Sequence, residues 1–304
     1  MNKEGKIYAL LATARMANVP SVVSNLGVGV LLGYAAGGDQ FRWPWLLMVA
    51  AILFYVGGNF LNDWKDSKWD AVNRPERALP RGLFSSKCYG VVAFLCLGSG
   101  LAISGFHGGA ALVAGVLLLG LIVLYTRIHK QTALSVIPMG LCRAMLPVLG
   151  YLGMRGSFGG AVLLPAIGLF LYVAGLSLSA KYESQKDMPA ANMWVGRGLL
   201  IGAGVFPALL PLLILPGLGW VGVLPFGMWL LLCMGKYRSG VSEFVSALLA
   251  GIPLVDWVVL LPMSFIWVWL ERCEVTDPMF LCGLLLSPFA FVLGRILQRV
   301  APAT

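Results

Sequence analysis

Long apolar segments separated by short polar stretches dominate the sequence. A helix that crosses the hydrocarbon core of a bilayer needs about 20 mostly apolar residues. The predicted spans are Met16–Ala36, Trp43–Leu61, Cys88–Phe106, Gly109–Thr126, Leu134–Met154, Ala161–Ala180, Gly198–Leu215, Gly219–Met234, Ala247–Leu270 and Met279–Leu297. The division between the seventh and eighth spans is the weakest, so the pattern predicts nine or ten membrane helices. We therefore expect an all-α fold, a polytopic membrane helix bundle that forms one domain over residues 1–304.

Basic residues are concentrated in alternate connections between these spans. The clusters follow the second, fourth, sixth, eighth and tenth spans, in Asp63–Lys87, Tyr125–Ala133, Lys181–Arg197, Lys236 with Arg238, and Arg295 with Arg299. The intervening connections Gly37–Arg42 and His107–Gly108 are poor in Lys and Arg. Because basic loops stay in the cytoplasm, we predict an integral membrane protein with both termini on the cytoplasmic side. This parity favours ten spans over nine.

The composition also indicates a membrane protein. Apolar residues make up 59% of the 304 residues and charged residues 12%, against about 45–50% and about 25% in soluble domains. These values exclude a disordered chain, a nucleic-acid-binding domain and an ordinary soluble enzyme. The net charge of +9 is interpreted as a consequence of topology and of anionic substrates. The six cysteines contain no CxxC pair, which favours buried apolar side chains over disulfides or metal ligands.

The most informative polar stretch begins at the end of the second span, where the helix is predicted to continue past the membrane surface. Residues four apart share one helix face, so Asn62, Asp66 and Asp70 stack, with Asp63 at the edge of that face. Neighbouring carboxylates repel one another unless a cation lies between them. Mg²⁺ takes oxygen ligands and often bridges carboxylates to phosphates. The spacing therefore predicts a Mg²⁺ site.

Basic residues follow this acidic motif directly. Pro75 is predicted to end the helix, which leaves Arg74, Arg77 and Arg81 in a loop near the same place. The planar fork of an Arg side chain suits phosphate oxygens. Carboxylates, a divalent cation and Arg side chains together predict a diphosphate-binding site on the cytoplasmic side.

A second polar patch follows the sixth span on the same predicted side of the membrane. It spans Lys181–Asp187, and its carboxylates Glu183 and Asp187 are again four residues apart. Two acidic patches at equivalent helix ends suggest two halves that face one cavity and hold a diphosphate between them. A solvated loop is the alternative interpretation of this second patch.

The first acidic motif resembles that of a known family. The pattern NDxxDxxxD at Asn62–Asp70, followed by NRPxRALPxG at Asn73–Gly82, resembles the UbiA superfamily of intramembrane prenyltransferases. Further similarities are spread over most of the chain, at Arg15 with Asn18, Tyr125 with Lys130, Arg143–Gly150, and Gly251–Asp256. The last of these resembles the EboC-like subgroup. The second patch departs from the family, in which an Asp-rich motif is usual.

The resemblance implies a UbiA-like fold and a Mg²⁺-dependent transfer of a prenyl group from a prenyl diphosphate to a small acceptor, aromatic compounds included. The transfer would take place within the membrane lipid and release diphosphate. The resemblance implies six metal ligands, namely Asn62, Asp63, Asp66, Asp70, Glu183 and Asp187. All of them except Asp63 are also implied catalytic residues. The implied diphosphate contacts are Arg74, Arg77, Lys130, Arg143 and Lys186. Other implied cavity residues are Arg15, Asn18, Tyr125 and Tyr182.

Two other functions fit the same sequence. A membrane carrier would use an ionisable residue within the bilayer, for which Asp256 is the main candidate. A protein that binds prenyl diphosphate without catalysis would explain the altered second motif. The acidic residues cluster at one membrane face instead of lining a pathway, which favours the enzyme.

The predicted orientation can be tested by labelling single cysteines in a variant that lacks the six native ones. We expect Glu76→Cys to react with a membrane-impermeant maleimide only from the cytoplasmic side. His107→Cys, in a connection without basic residues, should react only from the opposite side. The reverse pattern in sealed vesicles of known orientation would contradict the predicted topology.

Overall fold

The structure is a computed structural model that describes residues 5–37, 43–184, 190–235, 237 and 241–301. Side chains are described for all of these residues except 133, 181–184, 190–193 and 241. Every regular element in this part of the chain is helical, which confirms the predicted all-α fold. The α-helices are α1 (Lys6–Thr13), α2 (Val19–Ala35), α3 (Trp45–Asn73), α4 (Ser86–Phe106), α5 (Gly109–Ile128), α6 (Val136–Arg155), α7 (Leu163–Ser184), α8 (Ala190–Ile214), α9 (Pro216–Gly219), α10 (Val223–Gly235), α11 (Val241–Ala250), α12 (Ile252–Trp269) and α13 (Pro278–Leu297).

Ten helical segments of the described chain are long and apolar enough to cross a membrane. The seventh and eighth predicted spans are separate. Helix α8 ends at Ile214, and α9 and α10 together form the eighth span, Pro216–Gly235. Helices α11 and α12 together form the ninth span, Ser242–Trp269. The count of ten agrees with the parity of the basic loops.

Helix α3 continues well beyond the apolar part of its span. Its 29 residues correspond to about 44 Å at 1.5 Å per residue, whereas the hydrocarbon core is about 30 Å thick. The acidic motif therefore lies on the turns that leave the apolar core. Arg74, which precedes Pro75, has an extended φ of −142° and ends the helix. Both features were predicted from the sequence.

Helix α2 lies at the centre of the bundle, where it packs against α6, α12 and α13. Its crossing with α6 is close because small residues stand at the contact. A Cβ atom on Gly29 would overlap the backbone of Pro147, and one on Gly150 would overlap the backbone of Leu26. Such small residues allow membrane helices to approach without gaps.

The ninth span is interrupted at Gly251, where α11 ends and α12 begins. A break in a membrane helix frees backbone carbonyls, and these must find donors inside the protein. At this break the amide nitrogen of Gly251 donates to the carbonyl oxygens of Ala247 and Leu248, at 3.2 and 3.0 Å. Each carbonyl also accepts from a neighbouring helix, Ala247 from Nε1 of Trp229 at 3.1 Å and Leu248 from the hydroxyl of Tyr172 at 2.8 Å. Neighbouring helices therefore hold the break in a defined geometry.

The glycine crossing can be tested by adding a single methyl group. We expect Gly150→Ala to destabilise the detergent-purified protein by about 1–3 kcal/mol, the usual cost of overpacking. The matched control is Gly120→Ala, because a Cβ there meets no atom of the described residues within 4 Å. Thermal unfolding measures both variants. Equal Tm values for the two would contradict a tight contact between α2 and α6.

Candidate active site

The first acidic motif forms one continuous face on the end of α3. Asn62, Asp66 and Asp70 stack at the predicted spacing and are only 7%, 7% and 2% exposed. Asp63 lies beside them and shares a basic partner with Asp70. The structure therefore brings the four predicted residues together, in a setting where carboxylates must be neutralised.

Arg77 supplies part of that neutralisation from the loop after α3. Its Nη1 atom donates to Oδ1 of Asp63 at 3.2 Å and to Oδ2 of Asp70 at 2.8 Å. The side chain of Asp70 is almost fully buried, whereas that of Arg77 keeps 22% exposure. One guanidinium thus links two carboxylates and connects the acidic face to the basic loop.

The connection after α5 supplies two more basic side chains. The Nζ atom of Lys130 lies 2.9 Å from Oδ2 of Asp66 and 3.9 Å from Oδ1 of Asp70. The Nε2 atom of His129 lies 2.9 Å from the same Asp66 oxygen. Lys130 also lies 3.7 Å from the centre of the Trp69 ring, a distance that allows a cation–π contact. Lys130, an implied diphosphate contact, is therefore held against the acidic face.

A cavity of about 330 Å³ lies next to this acidic face, within the bundle. Its polar lining includes residues implied by the family resemblance, namely Arg15, Asn18, Asn62, Arg74, Arg77, Tyr125 and Arg143. Its apolar lining comes from both halves of the chain, with Leu118, Ile122 and Leu146 from the first and Val173, Leu176, Val245, Leu249 and Ile252 from the second. Two halves facing one cavity were expected from the two acidic patches.

Arg15 holds an unusual backbone conformation at the edge of this cavity. Its φ and ψ angles are both 50°, in the left-handed region, between α1 and the turn that leads into α2. A residue other than Gly is strained there, and such strain is concentrated at functional sites. Arg15 also lines an adjoining pocket with Arg77 and Arg81. Arg81 itself is not among the residues that line the main cavity.

Arg143 lies deeper than the other basic residues of the cavity. Its guanidinium carbon is 5.2 Å from the centre of the Tyr55 ring. Tyr55 precedes Asn62 by seven residues of α3, which is about 10 Å along the helix axis. The structure therefore does not bring Arg143 to the acidic face with Arg77 and Lys130. Its implied role as a diphosphate contact stays a prediction.

The second acidic patch falls largely outside the described residues. Helix α7 continues to Ser184, past the end of the sixth span at Ala180. The side chains of Tyr182 and Glu183, and the whole of Lys186 and Asp187, lie outside the described residues. Their implied roles therefore stay predictions.

The oxygen atoms of the acidic face suit Mg²⁺ in their chemistry. Oδ1 of Asn62 and Oδ1 of Asp70 are buried and have no hydrogen-bond partner among the residues that the structure describes, and oxygen ligands are those that Mg²⁺ prefers. Within the described ranges, no group of three or more His, Cys, Asp or Glu side chains could hold a metal ion. Mg²⁺ usually keeps waters and takes phosphate oxygens from its substrate. The described residues therefore fit a partial ligand set that a diphosphate would complete.

Two residues of the site were not predicted from the sequence. His129 directly precedes Lys130, one of the residues on which the family resemblance rests. No sequence pattern marked His129 itself as a partner of Asp66. Tyr55 lies on the cavity wall two helical turns before Asn62. The helical repeat from Asn62 back to Tyr55 was a usable signal, because residues seven apart share one helix face.

Comparison with known proteins agrees with this arrangement. The model of the UbiA prenyltransferase family matches residues 25–274. A digeranylgeranylglyceryl phosphate synthase from Methanoregula boonei is 35% identical over 131 residues, which cover 41% of this chain and 44% of that protein. The chain spans about half the length of the curated relatives it matches.

Solved structures share the fold. The structure of a digeranylgeranylglyceryl phosphate synthase has a TM-score of 0.57 at 19% identity, over 84% of this chain and 98% of that one. A UbiA homologue from Archaeoglobus fulgidus, solved with GPP and Mg²⁺, has a TM-score of 0.51 at 12% identity, over 96% and 99% of the two chains. Because the family model covers most of the sequence, the chain belongs to the UbiA prenyltransferase family.

Proposed function

We propose that the protein transfers a prenyl group from a prenyl diphosphate to an acceptor within the membrane. The observation that carries this proposal is that a charged region and an apolar region meet at the same cavity. Buried carboxylates with paired Arg and Lys side chains stand beside a cavity whose inner walls are apolar. A prenyl diphosphate has the same division, with an anionic head and an apolar tail.

In the proposed reaction, the bond between C1 of the prenyl group and its diphosphate oxygen breaks, and the electron pair leaves with the diphosphate. A nucleophilic atom of the acceptor forms the new bond to C1, and its proton passes to the departing diphosphate. Arg74 and Arg77 at the cavity wall would hold the departing diphosphate, which supplies most of the stabilisation. The apolar walls exclude water that would otherwise react with the allylic cation.

Mg²⁺ is the proposed cofactor. Asn62, Asp66 and Asp70 would hold it, with Asp63 at the edge, and the second acidic patch would supply the further ligands that the family resemblance implies. When bound, Mg²⁺ neutralises charge on the diphosphate and makes it a better leaving group. Support comes from Oδ1 of Asn62 and Oδ1 of Asp70, two buried oxygen atoms that lack a hydrogen-bond partner in the described part of the chain, and from the related structure that contains Mg²⁺.

The proposed acceptor is a prenylated glyceryl phosphate. The curated relatives are named digeranylgeranylglyceryl phosphate synthases. Prenyl transfer would form such a product by adding a second geranylgeranyl group to geranylgeranylglyceryl phosphate. An aromatic acceptor is the second candidate, which the resemblance to the wider superfamily supports. Membership of the EboC-like subgroup stays a prediction based on Gly251–Asp256, since the relatives named above support only the family.

We further propose that the site opens on the cytoplasmic side, because the basic loop after α3 and the connection after α5 both contribute to it. A carrier is less well supported. Asp256 is fully buried and accepts hydrogen bonds from Ser24 and Asn25, and it is not among the residues that line the cavity. An inactive prenyl-diphosphate-binding protein would differ from the enzyme only in forming no product.

The donor site can be tested by binding a non-hydrolysable geranylgeranyl diphosphate analogue to the detergent-purified protein, with Mg²⁺ and with EDTA. We expect binding that depends on Mg²⁺. Asp66→Asn and Asp70→Asn should each weaken it roughly tenfold or more, since even partners behind metal ligands contribute 10–100-fold. Incubation with donor and acceptor then distinguishes the enzyme from the inactive binder by product formation.

The matched control is Asp277→Asn, which makes the same change in the loop before α13, on the opposite predicted side of the membrane. It should bind the analogue like the unsubstituted protein. Binding that persists in EDTA, or that survives in both acidic-face variants, would contradict the proposed site.

A further inference from the structure

We propose that Arg143 binds an oxyanion of the acceptor, a phosphate or a carboxylate, about two helical turns inside the diphosphate site. This inference rests on the proposed function and names the group that would recognise the second substrate. It assigns a use to the deepest basic residue of the cavity.

Arg143 is held firmly on one edge and left open on the other. Its Nη1 atom donates to Oγ of Ser21 and to Oδ1 of Asn25, both at 3.0 Å. Its guanidinium lies against the ring of Tyr55. In the part of the chain that the structure describes, its Nε and Nη2 atoms have no hydrogen-bond partner. Because Arg143 also lines the cavity, these donors are available to a ligand.

A buried network fixes Arg143 from behind. Asn25 donates from Nδ2 to Oδ2 of Asp256 at 2.7 Å, and Ser24 donates to the same oxygen at 2.5 Å. Ser24 is also 3.2 Å from the hydroxyl of Ser287. Residues 24, 25, 256 and 287 are all fully buried. The network joins α2, α12 and α13 to Arg143 of α6, so the guanidinium is pre-organised before any ligand binds.

The placement of Asp256 is what distinguishes this arrangement from an ordinary ion pair. A direct contact would satisfy both charges, yet Asn25 separates Asp256 from Arg143. The carboxylate compensates the buried positive charge from a distance, which limits the cost of an ion inside a membrane protein. The open edge of the guanidinium then remains free for an anion from the cavity.

The donor diphosphate is a poorer match for Arg143 than an acceptor group. The carboxylates that would hold the metal are at Asn62–Asp70, while Arg143 contacts Tyr55, about 10 Å away along α3. An acceptor oxyanion at Arg143 would place the acceptor between this side chain and C1 of the donor. Recognition of both substrates would thus use separate basic groups in one cavity.

The test compares ligands that differ only in the anionic group. One pair is geranylgeranylglyceryl phosphate and geranylgeranylglycerol, and the other is 4-hydroxybenzoate and 4-hydroxybenzyl alcohol. Binding to the full chain in detergent is measured in EDTA. We expect the anionic member of one pair to bind about tenfold more tightly or better, since hydrogen bonds to charged groups have this strength. The pair that shows the preference identifies whether the acceptor group that Arg143 binds is a phosphate or a carboxylate.

Arg143→Gln should abolish that preference, and Arg143→Lys should retain part of it. The matched control is Arg155→Gln, at the exposed end of the same helix, where the side chain donates a hydrogen bond to the carbonyl oxygen of Gly37 at 3.0 Å; it should keep the full preference. Equal binding within both pairs, a preference that survives Arg143→Gln, or one lost in Arg77→Gln instead, would overturn the inference.

Donor binding separates this inference from the proposed function. Arg143→Gln should still bind the geranylgeranyl diphosphate analogue in a Mg²⁺-dependent manner, which also shows that the variant is folded. Loss of donor binding in both Arg143→Gln and Arg143→Lys would assign Arg143 to the donor or to the core and overturn the inference. Failure of donor binding in the unsubstituted protein would instead contradict the proposed function.

Discussion

Hydrocarbon solvates neither ions nor unpaired backbone groups, and this constraint determines where polar groups lie in the bundle. The acidic face is carried by the end of α3 that leaves the apolar core, and its carboxylates are paired with Arg77, His129 and Lys130. Deeper polar groups are joined into one network around Asp256. The same constraint explains the side-chain donors at the interrupted ninth span.

The cavity has charged groups at one end and mostly apolar walls. In the proposed reaction, charged groups at one end would hold and release an anion, while the apolar walls from both halves of the chain would keep water away from a reactive carbon. Neither property alone would support prenyl transfer. A charged cleft open to water would hydrolyse the intermediate, and a dry cavity without basic groups would not bind the donor. The helix ends bring the two together.

Much of the fold and part of the site could be predicted from the sequence. The span lengths indicated nine or ten helices, and the alternating basic loops favoured ten. The four-residue spacing predicted that Asn62, Asp66 and Asp70 share one face of their helix. The apolar lining of the cavity could not be predicted, because membrane helices are apolar all round and their inward faces carry no distinct apolar pattern. The network of Asp256 also escaped prediction, since Asn25 is 231 positions away in the chain.

The interruption at Gly251 gives the ninth span two independently anchored parts. Helix α11 presents Val245 and Leu249 to the cavity wall, whereas α12 carries Asp256 in the buried network. Because Tyr172 and Trp229 bind carbonyls of α11 and the buried network holds Asp256 of α12, we expect a change of residue size on α11 to leave the register of α12 in place. The part of the cavity wall that α11 forms is therefore expected to vary among homologues, while the polar network on α12 keeps its geometry.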